Sequence, residues 1–179
     1  MTNQLSVELR QQCGTSAAKG IRREGKVPGV VYGANREPLS VSVNRQEALN
    51  ALDEVYKGTQ LLLVDISGKE TVSAIIREVQ THYMDGTLQN LDIWVVNPKK
   101  EITVKVYLIP TGDWDLQRAK GFHMEIKSIK VTGLPENLPG TVPFSTTNLA
   151  EGEKLRIKDI ALPEGISIAE HGNTVVCRQ

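Results

Sequence analysis

Apolar residues recur at every second position through most of the first hundred residues, which is the pattern of half-buried β-strands. Leu5, Val7 and Leu9 form the first such row, and the segments "PGVVYG" and "LSVSV" follow as two more strands. The segments "QLLLVDI" and "TVSAIIREV" are separated by a short stretch that includes Ser67, Gly68 and Lys69, so they predict a hairpin. A later strand, "LQNLDIWVV", places its aliphatic residues on one face and turns amide and carboxylate side chains toward solvent or a ligand.

One segment in this half carries the period of a helix. Asn44 has the character of an N-cap with Glu47 three residues later, and the apolar residues that follow are spaced to cover one helix face. We expect this helix to end at Lys57, before Gly58.

Both periodicities are lost between Cys13 and Lys26. Gly14, Gly20 and Gly25 favour an irregular backbone in this stretch. We therefore predict a long basic loop, and its glycine content and like charges predict that it lacks order on its own.

Asn97 and Pro98 interrupt the strand pattern, and a new alternation begins at Ile102. We therefore divide the chain into domains at residues 1–97 and 98–179. In the second domain, "FHMEIKSIKV" alternates and then shifts phase at Ser128, which predicts one strand with a β-bulge. The expected fold is mainly β with a few helices, a β-rich α+β class.

Charge distribution adds a feature that the hydrophobic pattern does not show. The 179 residues hold 21 basic and 21 acidic side chains and a formal net charge of zero. The amino-terminal segment has no apolar run typical of a signal sequence, so we expect a cytoplasmic protein. Between residues 10 and 26, however, one acid stands among five bases, which fits either an anion-binding loop or a solvated surface. The five bases are Arg10, Lys19, Arg22, Arg23 and Lys26.

Motifs of catalysis and metal binding are missing from the sequence. It contains no phosphate loop, no dinucleotide fingerprint and no nucleophile elbow, and its three histidines lie far apart. Its two cysteines lie outside any C-x-x-C spacing. Asp113 and Asp115 fit either a carboxylate pair of a hydrolase or a flexible loop, and Trp114 fits either a contact residue or a partly buried one. We expect no enzyme, no cofactor and no metal.

The combination of "KGIRREGKVPGVVYG" with "VQTHYMDGTLQNLDI" resembles the bacterial large-subunit ribosomal protein family numbered twenty-five, whose members bind 5S ribosomal RNA. The segment "LPENLPGTVPFSTTNLAEGEKLRIKDIALPEGI" is similar to the second domain of its long form, the general stress protein Ctc type. The resemblance implies an amino-terminal β-barrel on 5S ribosomal RNA. It also implies a β-rich carboxy-terminal domain that contacts large-subunit proteins or RNA, with no membrane partner and a monomer away from the ribosome.

The family's RNA-binding pattern falls on six positions here, and three neighbouring bases are plausible additions. Two positions depart from it: Gly20 stands where the family usually has a second basic residue after Lys19, and Asn90 stands where it usually has a histidine. Fewer cations predict weaker, more shape-dependent binding. A stress-related protein-interaction module with little ribosome association therefore stays open as the alternative function. The predicted RNA-binding residues are Arg10, Lys19, Arg22, Tyr32, Gln80 and Asp92, with Arg23, Lys26 and Arg77 as additions and Asn90 as the substituted position.

Overall fold

A computed structural model describes residues 4–12, 14–34, 36–112, 121, 123–145 and 154–178. These residues form two compact units, Met1–Lys100 and Glu101–Gln179, which are described separately.

The first unit is a closed barrel of six strands in the order β1, β3, β2, β6, β5, β4. β1 closes it by pairing antiparallel with β3 and parallel with β4, and β2 pairs in parallel with β6. The remaining neighbours are antiparallel. The strands are β1 (Gln4–Leu9), β2 (Lys26–Gly33), β3 (Arg36–Asn44), β4 (Leu61–Ile66), β5 (Glu70–Thr81) and β6 (Leu88–Val95).

The alternating pattern correctly predicts the barrel strands, because their alternate aliphatic side chains fill the interior. Leu5 and Val7 are almost fully buried in the core, together with side chains from each of the other five barrel strands. Leu9 was expected to continue this row, but it is 44% exposed because β1 ends there and Leu9 lies beyond the packed interior. The predicted hairpin is confirmed by the antiparallel pairing of β4 with β5.

Helix α2 (Arg45–Lys57) forms as predicted. The side chain of Asn44 accepts hydrogen bonds from the backbone N–H groups of Gln46 and Glu47, at 2.8 and 3.4 Å, which satisfies two donors that the helix leaves open. Gly58 caps the other end, and Leu52 is among the side chains that α2 buries against the barrel.

The predicted basic loop is wrong, because residues Thr15–Arg23 form a second helix, α1. Gly14 is the N-cap of this helix and Gly25 follows its C-cap residue, with φ values of +102° and +78°. These two glycines therefore lie at the helix ends and do not disrupt its interior. Its apolar side chains do have helical spacing, but they cover only nine residues with Gly20 among them, so the glycines outweighed this signal. None of the α1 residues is fully buried, and the half-buried ones include Ala17, Ala18 and Ile21.

The described residues of the second unit form two sheets. One has the order β10, β7, β9, β12 and the other has the order β11, β13, β8, with a 3-10 turn at Ile157–Asp159. The strands are β7 (Ile102–Thr111), β8 (His123–Met124), β9 (Ser128–Gly133), β10 (Thr141–Ser145), β11 (Lys154–Arg156), β12 (Ile166–Ile168) and β13 (Val175–Arg178).

The alternation that begins at Ile102 is confirmed, since every second residue of β7 is buried. The single bulged strand across Ser128 is wrong: β8 pairs with β13 and β9 pairs with β7, so the phase shift marks a change of sheet. Phe122 lies outside the described residues. The β-rich α+β class is confirmed, and no helix within the described ranges is long and apolar enough to cross a membrane.

Candidate nucleic-acid interface

Arg22 fastens α1 to the barrel. Its Nε and Nη2 atoms donate hydrogen bonds to the backbone carbonyl of Gln89 on β6, at 3.1 and 2.9 Å, and the side chain is half-buried. Arg45, the first residue of α2, donates from Nη2 to the carbonyl of Arg22 at 3.0 Å, and its backbone N–H donates to the carbonyl of Gly25. The carboxyl end of α1 is therefore held by both β6 and α2.

The exposed side of α1 carries two cations. Lys19 and Arg23 are four residues apart, so they share one helix face, and both side chains are exposed. Neither makes a hydrogen bond or an ion pair with any residue that the structure describes. These two side chains are free to bind anions in solvent.

A groove of about 850 Å³ runs along another side of α1, where Ser16 and Gly20 are among its lining residues. Arg10 lies in it, and its Nε donates to the carbonyl of Val41 at 3.0 Å. Lys26 lies there too, in an ion pair with Glu8. The charge in this groove is therefore balanced in part by the chain's own acids.

The hydrogen bond to Glu8 is the main reason that the pKa of Lys26 lies above its ordinary value. Burial opposes this shift, while the nearby charges of Glu8 and Glu24 add to it. Lys26 consequently carries its full positive charge at neutral pH. That charge is shared with Glu8, so less of it is available to an external anion.

A polar row lies on the outer face of β6. Asn90 donates from Nδ2 to Oδ1 of Asp92 at 2.8 Å, and both side chains are half-buried. On the neighbouring strand, Gln80 pairs with Asn90 and Glu78 pairs with Asp92. The row therefore combines amide donors with two carboxylate acceptors, which suits the recognition of polar edges better than the attraction of phosphate.

Tyr32, Trp94 and Arg77 form the other end of this outer face. Tyr32 on β2 pairs with Trp94 on β6, and the Cζ atom of Arg77 on β5 lies 5.1 Å from the centroid of the Trp94 ring. A guanidinium over an indole gains a cation–π interaction. Arg77 is exposed, whereas Tyr32 and Trp94 are half-buried.

The ten predicted residues therefore fall into two sets. Eight of them lie on helix α1 or on the outer face of β2, β6 and β5, and the Arg22–Gln89 contact joins these two parts. Arg10 and Lys26 lie in that groove, and the side of α1 that lines it differs from the side that carries Arg22. Their contact with a partner stays a prediction for both sets.

Sequence reasoning missed three residues that shape this surface, and it placed Gln89 toward solvent or a ligand without its backbone role. Trp94 and Glu78 were hidden within strands read for their aliphatic pattern. Gln89 acts through its backbone, which leaves no side-chain signal, and Arg45 was read only as part of a helix. The arginines in the last turn of α1, followed by Gly25, are the available signal for a helix end.

The alternative catalytic residues Asp113 and Asp115, with Trp114, lie outside the described residues. Of the histidines, His82 has its Nδ1 atom 3.1 Å from Oδ1 of Asp85 in the turn after β5. Within the part of the chain that the structure describes, no three His, Cys, Asp or Glu residues come together as metal ligands.

Comparison with known families gives two matches that follow the two units. Residues 5–93 match the sequence model described as the Ribosomal L25p family. Residues 101–178 match the one described as the Ribosomal protein TL5, C-terminal domain.

Similar proteins span most of the chain. The large ribosomal subunit protein bL25 of Streptomyces coelicolor is 33% identical over 174 residues, covering 96% of this chain and 85% of that protein. The protein of the same name from Pseudoalteromonas translucida is 31% identical over 90% of this chain and 79% of its own length. That of Neisseria meningitidis is 28% identical over 93% and 89%.

Proposed function

The chain belongs to the ribosomal protein L25 family, and we propose that within the large ribosomal subunit it binds 5S ribosomal RNA through α1 and the outer face of β2, β6 and β5. The family resemblance stated from the sequence is confirmed, including the long form with its second domain. The family is one of structural ribosomal proteins, so the chain is not an enzyme.

The observation that most supports RNA binding is the attachment of α1 to β6. The Arg22–Gln89 hydrogen bonds hold the exposed cations Lys19 and Arg23 next to the strand that carries Asn90 and Asp92. One rigid surface thus combines mobile cations, which suit phosphates, with fixed amide and carboxylate groups, which suit base edges. Side chains can reach base edges in an irregular RNA loop, whereas the deep groove of a regular RNA helix hides them.

Asp92 has a specific role in this proposal. A carboxylate repels phosphate, so its presence on an RNA-binding surface favours base recognition. With one oxygen held by Asn90 at 2.8 Å, the carboxylate is oriented in advance and keeps capacity to accept from the amino group of cytosine or guanine.

The bonds that other basic side chains make within the protein limit the electrostatic contribution to RNA binding. Lys26 is paired with Glu8, and Arg10 and Arg22 bind backbone carbonyls, so Lys19, Arg23 and Arg77 are the cations most available for phosphates. With each phosphate contact giving a log–log salt slope of roughly 0.7 to 0.9, about two to three contacts predict a total slope near −2. We therefore expect modest salt dependence for a ribosomal protein.

For the second unit, we propose contacts with large-subunit proteins or RNA. The sheet containing β7 supports this, because the alternate residues of β7 that do not enter the core include Tyr107 and Ile109, which are 47% and 46% exposed.

The test is a titration of the full chain against 5S ribosomal RNA at three salt concentrations, with transfer RNA as competitor. We expect Arg23→Ala to weaken binding and to reduce the salt slope by roughly 0.7 to 0.9. Asp92→Asn should lower the preference for 5S ribosomal RNA over transfer RNA at an unchanged slope. Lys69→Ala, which removes an exposed charge in the β4–β5 turn, is the control and should match the unmodified chain.

Equal affinity for the two RNAs would contradict the proposal. Sedimentation of a cell extract would then distinguish the alternative, since a stress-related interaction module would stay in the free pool and away from large subunits. Its motivation is the zero net charge and the bases neutralised within the chain.

A further inference from the structure

Trp94 is held between a backbone and a cation. A Cβ atom at Gly33 would lie 2.5 Å from Cδ1 and 2.8 Å from Nε1 of Trp94, so the indole packs directly on the Gly33 backbone. Its ring also faces the guanidinium of Arg77, whose Cζ lies 5.1 Å from the ring centroid. The ring thus has a fixed support on the barrel and an arginine above it.

Arg77 owes its position to an irregularity in β5. Ile76 pairs with Ile93 and Glu78 pairs with Asp92, so Arg77 is an extra residue that has no partner on β6. A bulge of this kind redirects a side chain. Arg77 is therefore held in place on an exposed face. The bulge directs its side chain toward Trp94, and Gly33 supports the indole from the other side.

The guanidinium of Arg77 remains available to a ligand. Although Glu78 is its chain neighbour and Asp92 lies across the strand pair, Arg77 makes no ion pair with the residues that the structure describes. Its side chain is exposed, so the side of the guanidinium away from Trp94 faces solvent. An arginine whose guanidinium is already held over a ring loses less side-chain entropy on binding than a mobile one.

We propose that Arg77, positioned by Trp94, stacks on an unpaired base of the bound RNA. This inference rests on the proposed function, because Arg77 lies on the same outer face as Gln80, Asn90 and Asp92. Arg77 is the contact residue, and Trp94 is a positioning residue that acts through it. A stacked base is a planar ligand, which distinguishes this role from attraction of a phosphate by charge alone.

The experiment measures affinity and salt slope for 5S ribosomal RNA with full-chain variants. Arg77→Lys keeps the charge and loses the plane, and we expect it to weaken binding about fivefold at an unchanged salt slope. Trp94→Leu should weaken binding by a similar factor at an unchanged slope, whereas Trp94→Phe keeps a ring and should bind within about twofold of the unmodified chain. In an Arg77→Ala background, Trp94→Leu should have no further effect.

Thermal unfolding of each variant verifies that the barrel is intact at the titration temperature, and Arg77→Lys tests the inference even if Trp94→Leu does not fold. Binding of Arg77→Lys within twofold of the unmodified chain would overturn the stacking role while leaving the proposed function standing. Additive losses in the double variant would overturn the positioning role of Trp94. Failure of the proposed function is distinguishable, since the unmodified chain itself would then show no preference for 5S ribosomal RNA over transfer RNA.

Discussion

Replacing Arg22 with alanine should weaken the attachment of α1 to the barrel. The helix has only nine residues, which is too short to be stable by itself in water. It has no side-chain hydrogen bond at its N-cap, no acid in its first turn and no fully buried residue. The Arg22 guanidinium is therefore one of the few contacts that hold α1 in place.

The size of the effect follows from that contact. Hydrogen bonds to a charged group contribute about 1.5 to 3 kcal/mol when well formed. Arg22 directs two N–H groups at the single carbonyl of Gln89, at 3.1 and 2.9 Å, and the group is only half-buried. We therefore assign the pair about 1 kcal/mol, which corresponds to about a fivefold change in an opening equilibrium.

Amide hydrogen exchange of the isolated protein measures this opening. In Arg22→Ala, the amides that bond within α1, such as those of Ala18 and Glu24, should exchange about fivefold faster while those of β3 stay unchanged. Arg23→Ala is a matched control, because it removes the same charge at the next position, where the side chain is exposed and not half-buried. It should leave α1 exchange unaltered and weaken only RNA binding.

The same exchange rates in Arg22→Ala and Arg23→Ala would refute the anchoring role. In that case, α1 would be held by the half-burial of Ala17, Ala18 and Ile21 alone.

Three further predictions concern the barrel and its turns. Gly33→Ala should lower the free energy of unfolding in urea by about 2 kcal/mol or more, because φ at this position is +110° and the new Cβ would overlap Trp94; an unchanged midpoint would contradict this. Asn44→Ala should cost about 1 kcal/mol in the same assay through loss of the α2 cap, and a loss below a few tenths would show that the cap is replaceable. The backbone N–H of Thr87, followed by its hydroxyl, lowers the pKa of Asp85 from its ordinary value of 3.8, so the contribution of this turn to stability is present above that value and is lost as pH falls through the lower folded pKa. The amide shift of Thr87 should follow that titration by NMR, and it should lose the pH dependence in Asp85→Asn.

Much of the barrel could be predicted because its interior obeys one simple rule. Buried aliphatic side chains alternate along each strand, and a cap followed by a helical stripe identified α2. These signals are local and depend on large apolar side chains, which periodicity detects well.

Helix α1 was not predicted, although Ala17, Ala18 and Ile21 have helical spacing, because this apolar face is short and the anchor of the helix is distant in sequence. Its packing face consists of alanines, Ile21 and the stem of Arg22, and its anchor is a carbonyl of Gln89, 67 positions along the chain. A glycine at position 20 has open space around it and is tolerated within the helix. Local sequence therefore favoured a loop, and tertiary contacts favoured a helix.

The candidate site shows the same limit. Residue types and the family resemblance indicated which side chains to consider, but not that Lys26 is paired with Glu8 or that Arg77 lies over Trp94. Both contacts join different strands, so they depend on pairing register. Counting charges along the sequence therefore overestimated the number of basic side chains that are available to a partner.

Parallel pairing of β2 with β6 and of β1 with β4 joins strands that are far apart along the chain, so the barrel closes only when all six strands are present. The strand that accepts the Arg22 hydrogen bonds is the last of the six along the chain, so during synthesis α1 has only its contacts with β2 and Arg45 until β6 has emerged and paired. An incomplete barrel would expose cations without the polar row beside them and would bind nucleic acid by charge alone. If the proposed function is correct, discrimination between RNAs therefore requires a complete first unit.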